Sequence, residues 1–99
     1  MTSCLEMVSF HLNDEADREA FLAAAPVVTE WVSRQPGFRH RSIVDRGEEG
    51  WVEMILWADQ ASAHSAAKKL RGETPFMAMI DRASVRMAHH TVVHTSPGV

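Results

Sequence analysis

The side chains best suited to chemistry in this sequence are one glutamate, one tryptophan and two histidines on predicted strands. Glu53 lies on the same face of an alternating segment as Trp51, Ile55 and Trp57, so its carboxylate points into an apolar layer. Desolvation there disfavours the charged form, which would suit the carboxylate to accept a proton near neutral pH. The alternative is a structural ion pair at the sheet margin with one of three arginines, Arg39, Arg41 or Arg86.

Trp57 ends the same predicted strand and offers a large, rigid π-face. Such a face suits the wall of a pocket for a flat aromatic ligand. It equally suits a core position against the helix that follows. The two roles are compatible, so both stay open.

The sequence contains six histidines, which are His11, His40, His64, His89, His90 and His94. No pair has the spacing that would place two imidazoles on one metal ion within a single predicted strand or helix. If the first and last strands are neighbours, His11 could lie near His89 or His90, and such a site would bind zinc or iron only weakly without a carboxylate such as Glu53. We favour histidines that form hydrogen bonds at strand ends, and we expect no metal and no bound cofactor. His11 and His89 are nevertheless candidate acids or bases.

Composition excludes several classes of partner. Ten Lys and Arg against thirteen Asp and Glu give a formal net charge of -3, which provides no basic field for a nucleic acid. No apolar run approaches the roughly 20 residues needed to cross a bilayer, and the first residues lack the pattern of a secretory signal. With a single cysteine, Cys4, an internal disulfide is impossible. We therefore expect a cytoplasmic protein that binds neither nucleic acid nor membrane.

Hydrophobic periodicity predicts the elements that must position these side chains. Alternation predicts strands over residues 4–12, 38–46, 51–58 and 84–94, and spacings of three and four predict helices over about 14–34 and 60–70. Pro26 lies inside the first helix, so we expect a kink or a break there. A short helical turn should begin at Pro75, and the tail from about residue 95 should be loosely ordered.

The order strand, helix, strand, strand, helix, strand predicts a single α+β domain over residues 1–99. It is the ferredoxin-like βαββαβ arrangement, a four-stranded antiparallel sheet with both helices on one face. The third strand is apolar on both faces, with Val52, Met54 and Leu56 opposite the tryptophan face. A monomer would leave that second apolar face in water, so we expect a homodimer in which two sheets pack face to face.

Three segments carry a resemblance to a known family. The Pro36-Gly37-Phe38 turn, the strand from Trp51 to Trp57 and the alanine-rich helix after Asp59 resemble the dimeric α+β barrel superfamily, most closely its antibiotic biosynthesis monooxygenase-like group. The resemblance implies a dimer whose two sheets close into a barrel, with a pocket between sheet and helices in each protomer. Members include cofactor-independent monooxygenases of aromatic polyketides, haem-degrading enzymes, and decarboxylases or isomerases of small aromatic and lactone substrates.

Two departures from that group limit the expected chemistry. Haem-degrading relatives resemble one another in an asparagine on the first strand and a histidine just after the second helix, whereas this chain has Ser9 and His11 in the first strand and no histidine in the later segment. Quinone-forming relatives often use tyrosine, and this chain has none. The resemblance therefore implies a cofactor-independent monooxygenase-like protein for a small aromatic or polyketide-like molecule.

The alternative is a non-catalytic dimeric module that binds a small hydrophobic ligand or serves as a structural unit. The sequence shows no nucleophile–base pair, phosphate loop or flavin fingerprint, so catalysis itself stays open. A pocket holding Trp57 with a convergent carboxylate or histidine would favour the enzyme. A pocket filled by Phe21, Met54 and Phe76 would favour the module.

Overall fold

The computed structural model describes residues 2–69 and 75–96, with the side chains of residues 75 and 76 not included. The strands are β1 (Ser3–Leu12), β2 (Phe38–Asp45), β3 (Trp51–Trp57) and β4 (Ile80–Val92). The helices are α1 (Arg18–Ser33), α2 (Gln60–Lys69) and α3 (Pro75–Ala78), and short 3-10 turns cover Glu15–Asp17 and Gly47–Glu49.

The strands form one antiparallel sheet in the order β2-β3-β1-β4. This order confirms the ferredoxin-like arrangement and makes β1 and β3 the two central strands. It also confirms that the first and last strands are neighbours. The candidate side chains on β1, β3 and β4 are therefore held in one rigid surface.

The register of the sheet determines which side chains face the helices. Cys4 pairs with Trp57 and Phe10 with Trp51, and the residues between them alternate, so Glu6 and Val8 point toward the helices. On β4, Met87 pairs with Val8 and His89 with Glu6, which places both on the same side. The opposite face, which we call the open face, carries the apolar side chains of Leu5, Met7, Val52, Met54 and Leu56.

Two groups of buried side chains join the sheet to the helices. The first contains Cys4, Val32, Ile55, Trp57, Ala63 and Ala66, and the second contains Phe10, Leu12, Phe21 and Trp51. Alanines at two buried positions of α2 let that helix approach the sheet closely. Large aromatic side chains thus anchor both ends of the layer between sheet and helices.

Two sequence expectations need correction. Strand β4 begins at Ile80, four residues earlier than expected, because Asp81 pairs with His11 beyond an irregularity in the ladder between Ser9 and His11. Period-two alternation is lost at such a bulge, so the sequence pattern concealed the start of the strand. In addition, α1 is a single helix with Pro26 inside it rather than two pieces.

One glycine is required where α2 meets the turn before β2. Gly37 has φ +86, and a side chain there would meet Ser62 Oγ at 2.2 Å. Its carbonyl also accepts the backbone N–H of Ala58 at 2.7 Å. This glycine therefore fixes how close the end of β3 lies to the start of β2.

Candidate functional site

A largely apolar cavity of about 280 Å³ lies between the sheet and the helices. It sits where the two groups of buried side chains meet. Its walls come from β1, β3, β4 and the helices, and comprise Glu6, Val8, Phe10, Val28, Trp31, Val32, Glu53, Ile55, Trp57, Ala66, Ala67, Met77, Ile80, Arg82, Val85 and Met87. Two tryptophans and two carboxylates therefore face one space.

Glu53 is held by a buried arginine from β2. Arg41 donates from Nε and Nη2 to the same oxygen, Glu53 Oε2, at 2.8 and 2.5 Å. Its Nη1 donates to the carbonyl of Ala25 at 3.1 Å and to Thr29 Oγ1 at 2.6 Å. The Arg41 side chain is 1% exposed and that of Glu53 16%, so this is a desolvated ion pair that ties the sheet to α1.

Glu6 is the second carboxylate of the cavity, and it has a different set of partners. Trp57 Nε1 donates to Glu6 Oε1 at 3.3 Å, and His89 Nε2 lies 3.2 Å from Glu6 Oε2. Glu6 is buried, with 6% of its surface exposed. A buried carboxylate needs a partner for each oxygen, and here an indole and an imidazole supply them.

His89 also borders a second, polar pocket. This pocket has a volume of about 140 Å³ and is lined by Thr2, Ser3, Cys4, Asp59, Gln60, His89, His90 and Thr91. The ring of His64 on α2 meets the ring of His89 edge to face, with 5.1 Å between centroids. His89 thus stands between the buried Glu6 and a polar recess at the end of the sheet.

Two of the four predicted site residues, Glu53 and Trp57, line the cavity together. His89 does not line the cavity, but its Nε2 lies within hydrogen-bond distance of Glu6, which does. His11 is exposed and lies on the opposite side of the sheet by alternation. His89 pairs with Glu6 and His90 pairs with Leu5, which lie five and six residues along β1 from His11. The expected proximity of His11 to either histidine is therefore wrong, because these spacings correspond to about 16–20 Å along the strand.

Sequence reasoning missed Glu6 and left three possible partners open for Glu53, namely Arg39, Arg41 and Arg86. Glu6 has the same parity as Val8 and Phe10 on β1, so period-two alternation already placed it on the buried face. A carboxylate at an inward position is the signal that could have identified it. The partner of Glu53 could not be chosen from sequence, because it depends on the register between β2 and β3.

Glu6 also influences the buried thiol beside it. Burial raises the pKa of Cys4, and the negative charges of Glu6 and Asp59 raise it further. Cys4 is 4% exposed, carries no disulfide and packs in the first group of buried side chains.

The donor set of the cavity does not suit haem iron. Proteins hold haem iron through histidine, cysteine, methionine or tyrosine. The side chains lining the cavity in the described part of the chain include neither histidine nor cysteine, and the sequence contains no tyrosine. Met77 and Met87 do line it, but a thioether usually ligates haem opposite a histidine.

Comparison with solved structures identifies the fold. The chain is similar to a haem-degrading protein from Mycobacterium tuberculosis (TM-score 0.71, 15% identity, 98% of each chain covered). It is also similar to the monooxygenase ActVA-Orf6 of Streptomyces coelicolor, solved with nanaomycin D (0.67, 16%, 99% of this chain and 94% of that one). A dimeric ferredoxin-like protein from an uncultured marine organism matches as well (0.70, 17%, 97% and 100%). These likenesses confirm the ferredoxin-like fold that the sequence predicts.

No protein-family model and no curated protein matches the sequence. Within residues 2–69 and 75–96, no helix has the length and apolarity to cross a bilayer, and no cluster of three or more metal-ligating side chains is present. The candidate site is the apolar cavity lined by Glu6 and Glu53.

Proposed function

We propose that this protein binds a small aromatic or polyketide-like molecule in the cavity between sheet and helices and oxidises it with molecular oxygen, without a bound cofactor. The observation that carries the proposal is the convergence of Trp57, the buried Glu6 and the partly buried Glu53 on one apolar space. Pockets for small molecules are mainly apolar with a few placed polar groups, and this volume is close to their lower limit of roughly 300 Å³. Structural neighbours that are oxygenases support the same proposal.

The chemistry requires only a proton acceptor and a dry, shaped site. When an acidic C–H or O–H of an electron-rich aromatic loses its proton, the resulting anion can itself reduce oxygen. For an anthrone, the methylene carbon becomes a carbonyl, one oxygen atom enters the product, and the other leaves as water. One of the two cavity carboxylates, Glu6 or Glu53, accepts the proton, and a ligand packed against the tryptophan walls displaces water from the site.

The alternative is a non-catalytic module that binds the same class of ligand. One observation favours it: Glu53 already accepts two hydrogen bonds from a buried arginine, as a structural carboxylate would. Two of the three side chains that would have filled the cavity in that case do not line it. Phe21 is fully buried in the second core group, Met54 lies on the open face, and the side chain of Phe76 lies outside the described residues.

Oxygen uptake in the presence of a panel of hydroquinones and anthrones tests the enzyme. Trp57→Phe should lower the rate, because it removes part of the cavity wall and the donor to Glu6. Trp51→Phe is the matched control, since Trp51 is equally buried but packs against Phe21 outside the cavity. Equal rates in wild type and both variants would contradict the enzymatic proposal, and ligand binding without oxygen uptake would support the module.

We also propose that two copies pack through their open faces. Five apolar side chains, Leu5, Met7, Val52, Met54 and Leu56, occupy the two central strands of that face. Burying such a face stabilises an assembly by roughly 25 cal/mol for each Å². The dimeric ferredoxin-like neighbour supports the formation of a dimer. Sedimentation at micromolar concentration should give twice the 11.1 kDa chain mass, and Met54→Glu should give monomers; a monomeric wild type would refute the proposal.

A further inference from the structure

We propose that Glu6 and His89 form a proton path that leads from the apolar cavity to the polar pocket at the end of the sheet. Glu6 lines the first space and His89 lines the second. Glu6 Oε2 and His89 Nε2 are 3.2 Å apart, within hydrogen-bond distance. The path rests on the proposed function, because it operates on a ligand that occupies the cavity and has a proton to lose.

The hydrogen-bond partners of the two carboxylates show which of them can pass a proton out of the cavity, and they favour Glu6 over Glu53. Within residues 2–69 and 75–96, Glu53 Oε2 accepts from Arg41, whose guanidinium keeps its proton and is almost completely buried. Arg41 therefore cannot take over a proton delivered to Glu53. Glu6 has Trp57, which can only donate, and His89, whose ring can take a proton at one nitrogen and release one from the other.

The proton transfer needs no oxidant. The O–H or C–H bond of the ligand breaks, its electron pair stays on the ligand, and the proton moves to the Glu6 carboxylate. Glu6 then passes a proton to His89 Nε2, and the imidazolium releases one from Nδ1 to the polar pocket. Asp59 and His90 line that pocket and the ring of His64 packs edge-on against His89, so a polar environment is available at the outer end.

A photoacid placed in the cavity tests the path without requiring turnover. The ground state of 2-naphthol is a weak acid, whereas its excited state releases its proton within nanoseconds to any acceptor in hydrogen-bond contact. The probe is excited at wavelengths longer than those that tryptophan absorbs. A bound probe that contacts a proton acceptor then emits as naphtholate, whereas a bound probe without an acceptor emits as neutral naphthol. Fluorescence anisotropy independently reports whether the probe is bound.

We expect bound 2-naphthol to emit as naphtholate in the wild type. Glu6→Gln should reduce the naphtholate share at least about tenfold, because the amide keeps the acceptor for Trp57 Nε1 but cannot take a proton. Glu53→Gln should retain the naphtholate emission. In His89→Gln the probe should form naphtholate but also show delayed neutral emission, because the proton on Glu6 cannot move on and returns to the probe. His64→Gln should behave as the wild type.

The remaining outcomes overturn the path. Naphtholate emission that survives Glu6→Gln, or that Glu53→Gln abolishes, places the acceptor elsewhere. A decay in His89→Gln identical to that of the wild type removes His89 from the path. In these cases the probe is bound, so the proposal of an aromatic ligand stands. An anisotropy that never rises shows instead that the cavity does not take the aromatic probe, and both proposals then fail.

Discussion

Replacing Arg41 by methionine removes the guanidinium while keeping an unbranched apolar side chain. In the native structure that guanidinium binds Glu53 Oε2, Thr29 Oγ1 and the carbonyl of Ala25. Arg41→Met therefore leaves a partly buried carboxylate without this cation and removes one donor from each of two polar groups of α1. The prediction is a large loss of stability together with a change at the wall of the cavity.

The magnitude follows from the burial of the two partners. Removing one member of a buried ion pair typically costs about 3–5 kcal/mol. The Glu53 side chain is 16% exposed and faces a cavity that water can enter, so we expect the lower end, about 3 kcal/mol. Because a small domain has a free energy of unfolding of only about 5–15 kcal/mol, this is a large fraction of the total.

The double variant Arg41→Met with Glu53→Leu separates the two possible causes. If the loss comes from an unpaired charge, removing both partners should restore stability to within about 1 kcal/mol of the wild type. Arg34→Met is a suitable control, since Arg34 pairs with Glu30 on the exposed surface of α1 and such pairs contribute little.

Urea unfolding at one fixed protein concentration measures all four proteins, because dimerisation makes apparent stability depend on concentration. The m-values should agree, so that midpoints report stability alone. The reasoning is refuted if Arg41→Met unfolds within about 1 kcal/mol of the wild type, or if the double variant is no more stable than the single one.

Three further outcomes are expected. Gly37→Ala should destabilise the fold by at least about 1–2 kcal/mol in thermal or urea unfolding, because alanine disfavours a positive φ and its Cβ would overlap Ser62; wild-type stability would contradict this. Iodoacetamide should alkylate Cys4 slowly at pH 8, and faster in Glu6→Gln because a negative charge that raises the thiol pKa is gone; equal rates in folded proteins would argue against that charge. Haem added to the pure protein should give no Soret shift, whereas a saturable shift at one haem per chain would show that the cavity accepts it.

The sequence predicted the fold well because its signals are local. Alternation on β1 and β3, the Gln35-Pro36-Gly37 stop and the alanine spacing of α2 each act within a few residues. The missed start of β4 shows the limit, since Asp81 and Arg82 belong to the strand only through a ladder with β1 that contains a bulge. No local pattern encodes a pairing partner that lies about 70 residues away.

The candidate site was only partly predictable for the same reason. Strand parity placed Glu53 and Trp57 correctly, and it would have placed Glu6 had the inward carboxylate been noticed. Contacts between elements could not be predicted from the sequence. These include the pairing of Arg41 with Glu53, the pairing of Glu6 with His89, and the separation of His11 from His89 and His90. Each depends on register, which is fixed only when the whole sheet packs.

The cavity itself argues for a ligand when its energetic consequence is considered. Empty volume in a core costs roughly 24 cal/mol for each Å³, which for about 280 Å³ sets an upper limit near 7 kcal/mol, reduced here because the space opens to water. Ala66 and Ala67 leave this volume between Trp31 and Trp57, where larger apolar side chains would fill it. A domain of 99 residues has little stability to lose. Small residues beside one buried and one partly buried carboxylate are therefore better explained by an occupant than by packing alone.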